Sequence, residues 1–320
     1  MSYQVLITDY YYPDLKQEHD VFKDTAIAII DGNGKCKTEE ALIKYARDAD
    51  AIITQFVPIT RKVIESLVNC QIIVRYAIGL DIIDLEAATE HGIMVANVPD
   101  YCLEEVATQT LALLLSVVRK VIPMNQGVRA GQWSYQKAEP LLRLSNMNLG
   151  LVAFGKIAQL LVEMVKAFNF KNIFVYDPYY QEQANYPWVK FVSLEELLQK
   201  SDIVSVHSPA TAETKHMFNQ NVFKMMKDGS FFINTARGAL VKEEDLVEAL
   251  ESGKLAGAGL DVLTEEVGTE DHPLFRFENV VITPHMGWYS VDSIAELQRK
   301  VAIQVKKALL GETVDYCVNK

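Results

Sequence analysis

The chain has little of what marks a secreted, membrane-bound or nucleic-acid-binding protein. Its four cysteines, Cys36, Cys70, Cys102 and Cys317, are scattered, with no Cys-x-x-Cys pair among them. That spacing argues against a zinc or other metal site and against a disulfide frame, and it reads as reduced thiols in a cytoplasmic protein. There is no run of basic residues, and the net charge is -11. An acidic chain repels phosphate backbones, so no nucleic-acid partner is expected. Long apolar runs are missing too. The tract 111–115 is framed by Thr108, Gln109, Thr110 and Ser116 and falls short of a membrane span. No basic-then-apolar leader opens the chain; residues 4–9 alternate like a strand. Proline and glycine are thinly spread, which leaves no flexible linker, and there is no internal repeat.

What is present is alternation. Short apolar strands, such as Ile52-Ile53, Ile72-Ile73-Val74 and Met94-Val95-Ala96, recur between helical stretches. The pattern predicts parallel sheets covered by helices, the α/β class. At 320 residues the chain exceeds one ordinary core, so two domains are expected. Residues 104–120 predict a long buried helix. From residue 149 the order strand, glycine turn, helix, strand begins a full doubly wound pattern. Its later strands are expected to end at Asp177 and to lie over 203–207, 230–234, 256–262 and 280–282. A last helix is expected over about 291–310.

The turn after the strand at 149 is the dinucleotide candidate. Ala153, Phe154, Gly155, Lys156 and Ile157 lie where a strand hands over to a helix. Free N–H groups and the positive end of the helix dipole would meet a pyrophosphate there. Ala153 stands where the fingerprint usually has its first glycine, and Ala158 at the third position is an accepted variant. Asp177 follows Gly155 by 22 residues, at the end of the next expected strand, where a carboxylate can accept from a ribose hydroxyl. No Lys or Arg occurs over 178–189, so a 2′-phosphate would meet repulsion and no cation. NAD is therefore expected over NADP.

Three further segments each follow an expected strand: Asn234-Thr235-Ala236-Arg237-Gly238, Asp261 to Glu266, and Thr283-Pro284-His285. Ligands of such sheets bind beyond the carboxyl ends of strands. An arginine can grip a 2-oxo acid's carboxylate through two parallel hydrogen bonds. Reduction of the carbonyl needs a proton donor, which an imidazolium supplies. A carboxylate behind the histidine would orient it and favour its charged form. Each residue alone is a weak signal; the convergence is what carries the reading.

These words, together with Arg75 to Asp84 (RYAIGLDIID) and Asn97-Val98-Pro99 followed by Glu105-Val106-Ala107, resemble the D-isomer-specific 2-hydroxyacid dehydrogenase family over nearly the whole chain. The resemblance implies a Rossmann NAD-binding domain over 102–287 inserted into a flavodoxin-like substrate domain formed by 1–101 and 288–320, and a homodimer built through the former. It implies Arg237 as carboxylate anchor, Glu266 as partner of the histidine and His285 as acid/base. It further implies that Thr108, His207, Pro209, Thr214, Thr235, Ala236 and Asp261 line the cofactor site, and that the backbone of Ala77, Ile78 and Gly79 meets the substrate carboxylate. The sequence departs from the family at Ala153 and Ala77, which replace glycines. It departs again at Val267, which replaces a common proline, and at Ile82, which replaces a frequent asparagine.

His285-Met286-Gly287-Trp288-Tyr289-Ser290 resembles the branch containing the C-terminal-binding-protein corepressors and their bacterial dehydrogenase relatives. The expected activity is interconversion of a small 2-oxo acid and its D-2-hydroxy acid. One alternative is phosphoglycerate dehydrogenase, with Arg75 serving the phosphate. Another is a non-catalytic, NADH-sensing interaction protein, and a more distant one a Rossmann protein of another class, such as a methyltransferase. Trp288 is expected against the substrate tail, favouring a medium apolar or thioether-like group, with Arg75 as the counterweight. Tyr10, Tyr11 and Tyr12 follow the first strand and are candidates for the same neighbourhood or for plain packing.

Overall fold

Five short runs in the first hundred residues pair as one parallel sheet: β1 Tyr3–Ile7, β2 Ile27–Asp31, β3 Ala51–Thr54, β4 Ile72–Arg75 and β5 Met94–Ala96. Their order is β2-β1-β3-β4-β5, the flavodoxin-like arrangement. Every residue of β3 and β4 is buried, as expected of central strands covered on both faces. The chain, a computed structural model, is described over residues 2–266 and 271–319; Val267 lies outside the described residues.

The remaining strands form a second parallel sheet: β6 Asn148–Val152, β7 Asn172–Tyr176, β8 Val189–Phe191, β9 Ile203–Val206, β10 Ser230–Asn234, β11 Leu255–Leu260 and β12 Val280–Ile282. Their order, β12-β11-β10-β9-β6-β7-β8, is the Rossmann order with one added strand, and it reverses at β6 and β9. The chain divides into two compact units, Met1–Tyr101 with Tyr289–Lys320, and Cys102–Trp288. Trp288 thus falls in the second unit.

The second unit has a core on each face of its sheet. Leu113, Leu114, Leu149, Leu161, Val162 and Val175 belong to one, and Leu197, Phe218, Phe223, Phe232 and Leu246 to the other. The helix Leu103–Val118 buries Ala107, Thr110, Leu113, Leu114, Val117 and Val118. Glu104 and Thr108 are exposed, so the helix is one-sided where its sequence suggested burial nearly all round. Among the described residues no single helix is long and apolar enough to cross a membrane. In the first unit the helix Val291–Leu309 packs on β3 and β4 and on the helix Lys16–Phe22, and Ser290 opens it with a reciprocal capping box.

That unit also buries a polar cluster. Glu18 is fully enclosed, and its carboxylate accepts from Tyr76 Oη at 2.5 Å and Gln298 Nε2 at 3.1 Å. Burial pushes the Glu18 carboxyl up from its ordinary range, against those two donors. Tyr12 packs edge-on against Tyr76, with ring centroids 5.3 Å apart.

Candidate functional site

The glycine turn follows β6. Ala153 sits in the left-handed region, φ 71°, a conformation in which glycine is relaxed and alanine is strained. Gly155 is different. Its backbone is extended at φ -71°, which any residue adopts, and a Cβ built on it would meet nothing within 4 Å. The protein itself therefore has no need of glycine at 155, whereas a closely approaching ligand backbone or phosphate does. Gly155 caps the helix Lys156–Val165 without a side-chain hydrogen bond. The N–H groups of Gly155, Lys156 and Ile157 donate to no acceptor among the described residues, so the helix start is an open anion receptor.

Asp177 closes the same corner. Its carboxylate accepts from the N–H groups of Phe154 at 2.8 Å, Tyr179 at 2.8 Å and Tyr180 at 3.1 Å. An ionised carboxylate has about four acceptor positions, so room remains for a ribose hydroxyl. These residues fit a dinucleotide. The Phe154 side chain does not face it: the ring is buried among Tyr180, Tyr186 and Phe191, all edge-on. Phe154 offers the turn only its backbone, and its N–H is already held by Asp177.

The loops after β10, β11 and β12 build the second half of the site. Asn234 ends β10 and shapes the next turn from both ends of its amide. Its Nδ2 donates to the Arg237 carbonyl at 2.9 Å, and its Oδ1 accepts from Ala236 N at 3.0 Å. Arg237 itself is exposed and makes no ion pair among the described residues. Gly238 lets this loop press on the next one, since a Cβ there would lie 2.0 Å from the Leu263 carbonyl oxygen. Leu263 leads to Glu266, and the Glu266 carboxylate lies 2.8 Å from His285 Nδ1. An ionised carboxylate only accepts, so the proton of this bond sits on Nδ1. His285 Nε2 has no partner among the described residues.

Asp261 holds the histidine's turn. It is 2% exposed, and its carboxylate accepts from Thr283 Oγ1 at 2.5 Å, Met286 N at 3.1 Å and Gly287 N at 2.7 Å. Its carbonyl accepts from His285 N at 2.7 Å. Four bonds thus fix a backbone that carries His285 at φ 50°, a left-handed conformation that needs such support. Asp261, expected along the cofactor site, thus also positions the turn of His285. Thr283 is held in turn by Gln109 Nε2 at 3.0 Å, a contact the sequence gave no sign of.

In the first unit, the loop after β4 presents a row of amides. The carbonyls of Ala77, Ile78 and Gly79 are occupied by Val98 N at 3.2 Å, Asn97 Nδ2 at 2.7 Å and Arg75 Nη1 at 2.9 Å. The three N–H groups have no acceptor among the described residues. A loop with its carbonyls tied back and its amides unclaimed suits an anion such as a carboxylate. Arg75 builds this loop. It is 8% exposed, and besides Gly79 it donates to Gln55 O at 3.2 Å and pairs with Asp81 at 3.0 Å. Its Nε and Nη1 are thus taken up by the protein, and Nη2 makes no hydrogen bond among the described residues.

The other expected residues divide. Thr108 is exposed on its helix, and Thr235 is buried with its hydroxyl 2.7 Å from Thr110 Oγ1. Ala236 is half-buried. His207 follows β9, and Ser205 Oγ lies 3.0 Å from its Nε2. Burial brings the His207 pKa down to about 4, which leaves the ring neutral at ordinary pH. Pro209 accepts from Thr214 Oγ1 at 2.6 Å, which closes a local turn. Trp288 is half-buried at the end of the second unit. Of the tyrosines, Tyr11 is exposed, Tyr12 is buried, and Tyr10 donates to Asp31 at 3.2 Å. Among the described residues no three His, Cys, Asp or Glu side chains converge as metal ligands would.

Comparison with known proteins agrees with this geometry. Residues 111–287 match the family model of the D-isomer specific 2-hydroxyacid dehydrogenase NAD binding domain. The chain is 35% identical over 286 residues to a hydroxypyruvate reductase of Blautia hydrogenotrophica, covering 88% of each protein. It is also 35% identical over 308 residues to a D-3-phosphoglycerate dehydrogenase of Methanocaldococcus jannaschii, covering 94% of this chain but spanning only 58% of that one. The structure of an Aquifex aeolicus D-lactate dehydrogenase complexed with NAD and lactic acid superposes with a TM-score of 0.86 at 27% identity, covering 99% of both chains. With an open helix start suited to a pyrophosphate, a histidine backed by a carboxylate and an exposed arginine on the loop after β10, the chain belongs to the D-isomer specific 2-hydroxyacid dehydrogenase family, NAD-dependent enzymes that interconvert a 2-oxo acid and its 2-hydroxy acid.

Proposed function

We propose that Arg237, Glu266 and His285 carry out the proton and carboxylate handling of this reaction on a small, unphosphorylated 2-oxo acid. The observation that carries the proposal is the 2.8 Å bond between His285 Nδ1 and Glu266, which leaves Nε2 available to a substrate oxygen. Arg237 holds the carboxylate by two parallel hydrogen bonds. Within the first unit, the unclaimed amides of Ala77, Ile78 and Gly79 suit an anionic group. Protonated His285 gives its Nε2 proton to the carbonyl oxygen as the 2-hydroxy acid forms, and takes it back in the reverse direction. Glu266 keeps the ring turned and stabilises its charge. The bound nicotinamide supplies or accepts the hydride. Gly155, Lys156, Ile157 and Asp177 hold the dinucleotide, with Asp177 selecting NAD over NADP by repelling a 2′-phosphate.

Arg75 spends Nε and Nη1 on Gln55, Gly79 and Asp81, which favours a glyoxylate- or hydroxypyruvate-like acid over a phosphorylated one, and Trp288 favours tolerance of an apolar tail. A panel of glyoxylate, hydroxypyruvate, a branched 2-oxo acid and phosphohydroxypyruvate, compared by kcat/KM with NADH, tests this. A phosphorylated acid favoured tenfold or more, about 1.4 kcal/mol of transition-state preference, overturns it. No turnover with any of them returns the reading to a non-catalytic NADH-sensing protein.

A homodimer is proposed from the segment after Val118. The helix Val121–Arg129 has no buried residue, and Trp133 beyond it is 89% exposed beside exposed Val121, Val128 and Tyr135. Light scattering on the wild type and on Trp133→Ser tests that arm. A cytoplasmic location is proposed from the four free thiols, two of them buried, and cell fractionation tests it.

A further inference from the structure

We propose that the amino-terminal edge of the second unit's sheet carries a binding site for a small polyanion, a phosphate ester or a polycarboxylate, separate from the dinucleotide turn. The chain has 42 acidic and 31 basic residues. Yet Lys171, Lys190, Lys200 and Lys227 line one concavity of about 610 Å³, with Glu196 as its one acid. That volume suits a small molecule rather than a macromolecule.

The concavity is ordered by its own hydrogen bonds. Asn148 Nδ2 donates to the Lys200 carbonyl at 2.7 Å, and Asn172 Nδ2 donates to Asn148 Oδ1 at 2.8 Å. Asn172 Oδ1 then accepts from Lys190 Nζ at 2.7 Å. Lys190 is therefore held in place by a neutral group, and its charge is left uncompensated. The Lys171 ammonium has no partner among the described residues. Lys200 is paired with Glu196 at 2.6 Å and Lys227 with Asp202, so the unpaired charge concentrates at 171 and 190. Phe174 provides an apolar floor: its ring is buried, with Lys190 and Lys200 at 6.0 and 5.9 Å from the centroid. A low-dielectric wall beside convergent charges focuses their field on an anion.

The site is not the catalytic one. Asn148 and Asn172 open β6 and β7, whereas the Ala153 to Gly155 turn follows the far end of β6. A five-residue strand separates the two ends by about 13 Å.

The test uses the NADH-saturated enzyme, so that the dinucleotide turn is filled. Inorganic pyrophosphate and citrate are titrated calorimetrically at constant ionic strength. Saturable one-to-one binding of either probe is expected, weakened at least about tenfold in Lys171→Gln/Lys190→Gln, since each ammonium is a charge-assisted donor. Glu196→Gln is expected to tighten it. NADH affinity and turnover stay unchanged in the double variant. Pyrophosphate alone binding assigns the site to phosphate esters, and citrate alone to polycarboxylates. No saturable heat with either probe overturns the proposal. So does binding that survives the double variant, because the anion then sits elsewhere.

Discussion

Replacing Gly155 with alanine separates what the protein needs from what its cofactor needs. At φ -71° an alanine is unstrained, and its Cβ enters space with no protein atom within 4 Å. Fewer conformations of the unfolded chain favour the folded variant by about 0.4–1 kcal/mol, and the poorer helix cap that alanine makes offsets roughly the same amount. The bound dinucleotide meets a methyl group where it had bare backbone. Forcing an extra methyl into a closely packed contact costs roughly 1–3 kcal/mol, or about 5- to 150-fold in Kd. The cofactor-free variant should thus melt close to the wild-type temperature in differential scanning fluorimetry, while NADH fluorescence titration shows the weakened affinity. An unchanged Kd would place the pyrophosphate elsewhere. A lower melting temperature without cofactor would refute the claim that only a ligand wants glycine here.

Ala153→Gly runs the other way. Relief of a left-handed alanine, about 1–2 kcal/mol, exceeds the added freedom of the unfolded chain, about 0.4–1 kcal/mol, so stability should rise slightly and NADH affinity should hold or improve. His285→Ala should retain NADH binding while turnover falls roughly 10²- to 10⁴-fold, the usual span for loss of an acid/base group; lost cofactor binding would mean a folding defect instead. Glu266→Gln removes the anion that orients His285, so kcat for oxo-acid reduction should fall while NADH binding holds, and an unchanged kcat would remove Glu266 from the role. Arg237→Lys should lower kcat/KM roughly 10- to 150-fold, the equivalent of about 1.5–3 kcal/mol for a lost charge-assisted bond. His207, with its pKa near 4 in the folded protein and near 6.5 when unfolded, binds more protons unfolded between those values. Its contribution to stability is therefore complete above pH 6.5 and lost as pH falls towards 4, and His207→Asn should flatten that part of the stability curve.

Much of this was legible in the sequence because the signals were local. A strand, a turn and a helix start are contiguous at 148–165, and Asp177 announces itself by spacing. The strand β10 lies where its apolar run placed it, over Ser230–Asn234. β8 was not legible: three residues with exposed Lys190 in the middle leave too short a pattern to read. For Arg75 and Asp261 the sequence showed the motif but not the protein partners. Each is a charged residue in a motif, and charge in a motif suggests ligand contact. Whether a guanidinium or carboxylate is already satisfied depends on partners such as Gln55, Thr283 and Gly287, which lie far along the chain or in a backbone turn that composition does not encode. Glu18 is the extreme case. It is enclosed, and Gln298, 280 residues later, donates to it, a contact that no local pattern announces.

Arg237, Glu266, His285 and the Asp261 lock all lie within Cys102–Trp288. Among the described residues, the hydrogen-bond partners of His285, Glu266 and Asp261 all come from that same block. A lineage could therefore inherit that block whole while exchanging segments of Met1–Tyr101. Changes in that part of the gene would leave the histidine, its carboxylate and the Asp261 lock unaltered.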